Sequence, residues 1–289
     1  MKMICRPLII LTLLVFSSCA QTPTKVFETE APKNKFETNW AQDPNLVVID
    51  ARPAFEFSLS HVPGSINLRW EDFSQKEEPF LGLLEKDLFF HARRLARMGI
   101  NPKSKVLVLG RGPQGSGEEG RLAWTLQVLG IKNTRFTHVD NFIAPQREES
   151  APRPSVAIWK PEADTSLWIE KEEFLKLVLS ERAGERAPII LDVRSEKEYL
   201  GKHHSYFSKK APDISAMNVP WTEFITSKSE TNVSIKDKLG AVGVTPDRDI
   251  VVIDDKGVRS AMVTLVLREL GFSKATNFAG GYMQLIGKR

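Results

Sequence analysis

Cysteine is nearly absent: among 289 residues only Cys5 and Cys19 carry a thiol. Both lie at the N-terminus, so from residue 20 onward the chain has no disulfide, no Cys-based metal site and no thiol nucleophile. Its fold must rest on burial alone, which roughly 250 residues at 42% apolar composition can supply for two domains of ordinary size. Histidine is scarce as well. There are five, none in an HxxxH pair. The adjacent His203 and His204 point apart with no partner ligand apparent, so neither a metal nor a cofactor is expected. Charge of one sign is also missing, since 40 Lys and Arg face 36 Asp and Glu for a net +4. With no clustered basic face carrying interleaved aromatics, nucleic acid is not expected as a partner. Long apolar runs are lacking too. The run "PLIILTLLVF" is about ten residues, against the roughly twenty that a membrane-spanning helix needs.

That run follows Lys2 and Arg6 and is closed by Ser17 and Ser18, the pattern of a secretory signal peptide over residues 1–18. The tetrapeptide "FSSC" resembles the lipobox of bacterial lipoproteins, which would make Cys19 the lipidated first residue of the mature chain. The alternative is an ordinary signal peptide followed by an unmodified Cys. Acyl chains contribute about 0.8 kcal/mol per buried methylene, so three of them would tether the chain firmly without spanning the bilayer. The expected partners are the membrane, through this anchor, and an envelope protein. Ala20 after the Cys points, by bacterial sorting habit, to the outer membrane facing the periplasm. Loss of Lys2 and Arg6 lowers the charge from +4 to +2. Residues 19–35 are polar, Pro-containing and aperiodic, as a spacer should be.

Beyond the spacer the chain repeats itself. "LVVIDARPAFEF" (46–57) matches "IILDVRSEKEY" (189–199), placing Asp50, Arg52 and Glu56 on Asp192, Arg194 and Glu198 at an offset of 142. "MGINPKSKVLVL" (98–109) matches "VGVTPDRDIVVI" (242–253) at 144, and "QVLGI" (127–131) matches "RELGF" (268–272) at 141. Near-constant offsets of that size mean a duplicated domain. Boundaries follow at 36–146 for the first domain, 147–165 for a Pro- and charge-rich connector, and 166–289 for the second. The short β-branched runs suit strands of a parallel sheet buried on both faces. "LAWTLQVLG" and "SAMVTLVLRELG" have helical spacing and stop at Gly130 and Gly271. Alternating strands and helices give an α/β sandwich in each half. "TSLWIEKEEFLKLV" reads as a helix opening the second domain, with Thr165 or Ser166 as its N-cap.

"VVIDARPAFEFSLSHVPGSINL" (47–68) resembles the opening motif of rhodanese-family sulfurtransferases, in which a strand ending in Asp-x-Arg leads to an acidic helix and a His-Ile-Pro-Gly-Ala-Ile-Asn turn. The second copy keeps Asp192, Arg194, Glu198 and Asn218, and "FAGGY" (278–282) is similar to the glycine pair near the family's C-terminus. The resemblance spans residues 36–289 and implies two rhodanese-like domains, as in the tandem thiosulfate and mercaptopyruvate sulfurtransferases. Asp50, Arg52, Asp192 and Arg194 then read as strand-end scaffold, and His61 as a turn-fixing histidine.

The family's chemistry resides in a Cys-x-x-Gly-x-Arg loop, whose amides and following helix N-terminus stabilise a thiolate that takes up sulfane sulfur. Here the loop is "DDKGVR": Asp254, Asp255, Lys256, Gly257, Val258 and Arg259. Gly257 and Arg259 fit the pattern as anion-binding positions, but Asp254 stands where the Cys belongs, and a carboxylate cannot form a persulfide. Asp254 is expected to fill the cradle itself. The first copy offers no replacement. Its loop "LGRGPQGSGEEGRLAW" is longer and thiol-free, its GxGxxG at 110–115 is interrupted by Pro113, its helix is expected near Arg121, and residues 110–120 read as a flexible surface loop. Two function classes remain: a catalytically silent binding or scaffold module, or an enzyme, either a sulfurtransferase with a non-Cys device or an Asp254-dependent catalyst.

Overall fold

A computed structural model describes residues 43, 45–142, 153–182, 187–202 and 212–287. The expected signal peptide, Cys19 and the tether lie outside the described residues, as do His203 and His204.

The apolar run of β1 (Val47–Asp50) is buried along its whole length, as is that of β3 (Val106–Gly110), and such runs can lie only where both sheet faces are covered. In the first lobe they join β2 (Ile66–Asn67) and β4 (Thr134–His138) in a parallel sheet of order β2-β1-β3-β4. The second lobe repeats this with β5 (Ile189–Asp192), β6 (Met217–Asn218), β7 (Ile250–Ile253) and β8 (Ala275–Asn277), in the order β6-β5-β7-β8. Helices complete each sandwich: α1 (Ala54–Leu59), α2 (Leu88–Arg97) and α3 (Glu118–Val128) in the first lobe. The second carries α4 (Lys171–Arg182), α5 (Glu196–Tyr199), α6 (Ile235–Ala241), α7 (Arg259–Glu269) and α8 (Gly281–Ile286). Gly130 and Gly271 follow α3 and α7 at φ 91° and 97°, the left-handed geometry that ends a helix.

The second lobe opens differently from expectation. Residues Thr165–Leu167 form a single 3-10 turn capped by Asp164, whose carboxylate accepts the Ser166 N–H at 3.1 Å, and α4 starts only at Lys171. Asp164, rather than Thr165 or Ser166, is thus the capping residue, and Trp168 runs extended, bridged to Asn277. Before it, the connector lies along the first lobe: the Val156 N–H donates to Ala96 O at 2.9 Å and the Asp164 N–H to Val128 O at 3.1 Å.

The lobes share one core. Helices α3 and α7 pack on each other, and Gly120 lies so close to Met262 that a β-carbon there would collide with it. One apolar cluster joins Leu122, Ala123 and Leu126 to Ala261, Leu265 and Ala279 across the two lobes. Each lobe also reaches over the other. A first-lobe arm closed by the Ser74–Leu84 bridge sets Gly82 against the carbonyls of Lys256 and Ala279. A second-lobe arm closed by the Ile225–Thr231 bridge sets Ser229 over Gly112, and its Lys228 carbonyl accepts the His138 N–H at 3.2 Å.

Candidate functional site

In a parallel α/β sheet the functional crevice lies beyond the C-terminal ends of the strands, where neighbouring strands send their chains in opposite directions. Here that point falls between β1 and β3 and again between β5 and β7.

The same scaffold holds both places. Asp50 accepts the Arg52 backbone N–H at 3.0 Å and its guanidinium at 2.7 Å, while the Asn67 amide donates to the carbonyls of Asp50 and Arg52, both at 2.9 Å. Asp192, Arg194 and Asn218 repeat this with a 2.6 Å ion pair. The Tyr282 hydroxyl donates to Asp192 at 3.0 Å, and the Arg194 guanidinium lies 3.9 Å from the Tyr282 ring centroid. His61 contacts Phe57 O through Nδ1 at 2.9 Å and stacks on the Phe57 ring, pinning the turn into Val62-Pro63-Gly64.

In the second lobe β7 ends at Ile253 and the loop 254–258 turns into α7. Asp254 is 1% exposed. Its Oδ1 accepts the N–H groups of Gly257 and of Lys256, the latter at 3.1 Å. Its Oδ2 accepts those of Arg259 at 2.7 Å and Ser260 at 3.4 Å, and the Ser260 hydroxyl lies 3.2 Å from Oδ1. These amides form an anion cradle at the first turn of a helix, and the Asp254 carboxylate sits in it. Gly257 (φ 78°) and Gly281 (φ 56°) permit the close approach that closes the loop from behind: α8 delivers the Tyr282 and Met283 N–H groups to the carbonyls of Asp254 and Asp255, each at 2.9 Å. A side chain at Gly281 would strike those carbonyls.

Arg259 does not face outward for a ligand. Its guanidinium meets Glu198 at 2.9 Å, Asp255 at 3.0 Å and Asp254 at 3.5 Å. Desolvation alone would lower the Arg259 pKa, but the Asp254 charge and the Glu198 hydrogen bonds outweigh it and raise it. Burial would likewise raise the Glu198 carboxyl, yet hydrogen bonds from Arg259 and Ser195 bring it down to about 2. Gly257 and Arg259, expected as binding positions, are thus engaged within the chain. Val258 is buried at the start of α7, and Lys256 lies with its ammonium 5.4 Å from the Trp70 ring centroid.

The first lobe departs from expectation in two ways. Helix α3 begins at Glu118, not near Arg121, and the loop before it is covered in part: Gly112 and Gly117 are buried under the second-lobe arm and α7, while Gln114 and Ser116 stay exposed. Glu119 takes up the role that Asp254 has in the other lobe. Its Oε1 accepts the Gly112 N–H at 3.0 Å and the Ser229 hydroxyl at 2.7 Å, while its Oε2 is buried without a partner. Burial, then the neighbouring Glu118 charge, pushes the Glu119 carboxyl up to about 7. Arg111 mirrors Arg259, donating to Glu118 at 2.8 Å and to Glu56, the counterpart of Glu198, at 3.1 Å.

Arg121 links the lobes. Fully buried, it donates to Gly257 O at 2.8 Å and Gly82 O at 2.6 Å, with its guanidinium 4.6 Å from the Trp124 ring centroid. Burial lowers its pKa to about 10. Glu119 and Arg121 had no distinguishing sequence signal, since their partners lie 110 and 136 positions away.

The family model for the rhodanese-like domain matches residues 34–139 and 176–288. A thiosulfate sulfurtransferase of Azotobacter vinelandii is 26% identical over 246 residues, covering 83% of this chain and 87% of that relative. A 3-mercaptopyruvate sulfurtransferase of Escherichia coli strain K12 is 23% identical over 263 residues, covering 84% and 89%. Among solved structures, SseA from Escherichia coli superposes with a TM-score of 0.66 at 21% identity, covering 83% of this chain and 93% of its own. Tum1 of Saccharomyces cerevisiae gives 0.67 at 16%, covering 84% and 88%. These superpositions speak to the fold. With two matched domains and two like-ordered parallel sheets, the chain belongs to the rhodanese-like family in its tandem, sulfurtransferase-like form.

Proposed function

We propose that this chain is a catalytically silent member of the tandem sulfurtransferase-like family, held at the cell envelope through a lipid on Cys19 and acting there as a binding or scaffold module. One observation carries the reading: the Asp254 carboxylate accepts the N–H groups of Lys256, Gly257, Arg259 and Ser260, so the anion cradle that would activate a thiol is filled by the chain itself. A carboxyl oxygen held this way has neither the polarisability to take sulfane sulfur nor free lone pairs facing solvent. The same geometry argues against Asp254 as nucleophile or base, because either role would strip it of buried hydrogen bonds. Relatives named as sulfurtransferases support shared ancestry of the fold, while the loop of this chain supports loss of the reaction.

The test is thiosulfate-to-cyanide transfer by the purified chain beside Asp254→Cys. Wild-type turnover, or sulfane sulfur covalently loaded on the wild type, overturns the proposal. Gain of turnover in the variant would place the whole deficiency in the missing thiol. For the anchor, Cys19→Ala is expected to leave the membrane fraction and to lose incorporation of labelled palmitate; unchanged fractionation would defeat that part.

A further inference from the structure

The two switch-point crevices have met different fates. In the second lobe, Arg259 is tied to Glu198, Asp254 and Asp255 beyond the ends of β5 and β7. In the first lobe the equivalent space, between the ends of β1 and β3, remains an open cleft of about 450 Å³. That size lies within the range of small-molecule sites, and the position is where parallel α/β sheets place their ligands.

The lining is polar and unevenly charged. Arg52 comes from the end of β1, Arg111 and Gln114 from the loop after β3, His138 from the end of β4, and Lys228 from the second-lobe arm, with Asp140 as the acidic side chain on the wall. The carboxylates that neutralise the arginines are not part of the wall: Asp50 is fully buried beneath Arg52, and Glu118 is 6% exposed behind Arg111. The cleft therefore presents three cations against one carboxylate. Donors remain available. Arg111 uses Nε and Nη1 internally, and among the described residues Nη2 of Arg111, Nζ of Lys228 and the Gln114 amide make no hydrogen bond or ion pair. His138 accepts the Asp140 N–H through Nδ1 at 3.1 Å, which leaves its Nε2 as a neutral donor.

We propose that this first-lobe cleft is a binding site for a small soluble anion bearing a carboxylate or other oxyanion group, held by the remaining Nη2 donor of Arg111 together with Lys228 and Gln114. Because Lys228 and Ser227 come from the second lobe, the ligand would bridge the lobes. The inference rests on the binding-module reading above and supplies its ligand class.

Calorimetric titration of the whole chain in detergent, with pyruvate, thiosulfate and inorganic phosphate as probes, tests it. At least one probe is expected to bind saturably with one site per chain. Lys228→Glu and, separately, Gln114→Glu, both at exposed positions, are expected to weaken that binding by roughly tenfold or more while circular dichroism stays unchanged. Lys256→Gln, in the second-lobe loop, is expected to leave it intact. Absence of binding by all three probes up to about 10 mM overturns the proposal. So does binding that ignores both first-lobe variants, or that follows Lys256→Gln instead. Sulfur transfer, scored separately, reports on the silent-loop reading: turnover with intact first-lobe binding sinks that reading alone, and silence without binding sinks this one alone.

Discussion

The Glu119 carboxylate occupies the volume that a β-carbon on Gly110 would need, so the glycine at the end of β3 and the acid on α3 exist in the structure as a pair. In the other lobe strand-end Asp254 supplies its own carboxylate to the equivalent cradle. Both lobes thus plug their loops with an internal carboxyl group, one from the strand end and one from the helix.

The Glu119 plug costs stability when ionised, because one oxygen has no partner. Its folded pKa of about 7 lies above the ordinary 4.5, so the native state holds a proton that the unfolded chain has released between those values. Its contribution therefore weakens as pH rises from about 4.5 through 7 and is flat above. Glu119→Gln is expected to be more stable than wild type at pH 8 by roughly 1–3 kcal/mol, with the advantage gone at pH 5. Denaturant unfolding at the two pH values checks this; a pH-independent difference would contradict it.

Glu198 has the opposite sign. Its pKa of about 2 lies below the ordinary 4.5, so the stability it lends is present above about 4.5 and fades as pH falls toward 2. Glu198→Gln should flatten this acid limb of the stability profile, measured by thermal melts across pH 2 to 5.

Asp254→Asn replaces an acceptor-only group with an amide whose NH2 must face either the N–H groups of Arg259 and Ser260 or those of Lys256 and Gly257. A loss of about 2–4 kcal/mol in urea unfolding is expected, since buried donors are left unmet beside Arg259. A neutral result would mean that the carboxylate charge is not what holds the loop.

Gly120→Ala puts a methyl group against Met262 in the α3–α7 contact. Overpacking of this kind costs typically 1–3 kcal/mol, and hydrogen exchange is expected to rise on both helices together rather than on α3 alone.

Arg121→Lys keeps the charge but loses the planar fork that reaches Gly257 O and Gly82 O together. It is expected to be destabilised by about as much as Arg121→Met, by roughly 2–4 kcal/mol in chemical denaturation. Full rescue by Lys would show that charge alone matters there.

Much of this architecture is local enough to be visible in the sequence. Asp50 and Arg52, or Asp192 and Arg194, bond to each other two residues apart, and a buried strand such as β7 betrays itself by an unbroken apolar run. The rest depends on partners far along the chain. Residues 110–120 look like a surface loop because glycine breaks regular structure and glutamate normally seeks solvent, and Ser229 and α7, from the other lobe, cover Gly112, Gly117, Glu119 and Gly120. The start of the second lobe differs from the helix its sequence suggests for a smaller reason: Asp164, one residue ahead of Thr165, accepts the Ser166 N–H, and Trp168 bridges to Asn277 in place of continuing a helix.

The crossed arms carry a consequence for how this molecule can be divided. Severing the chain within 143–152 would give two products, each with an uncovered strand-end loop and an arm with nothing to grip, since Gly82 belongs over Lys256 and Ser229 over Gly112. The two like-ordered lobes work as a handclasp, and neither hand makes a fist by itself.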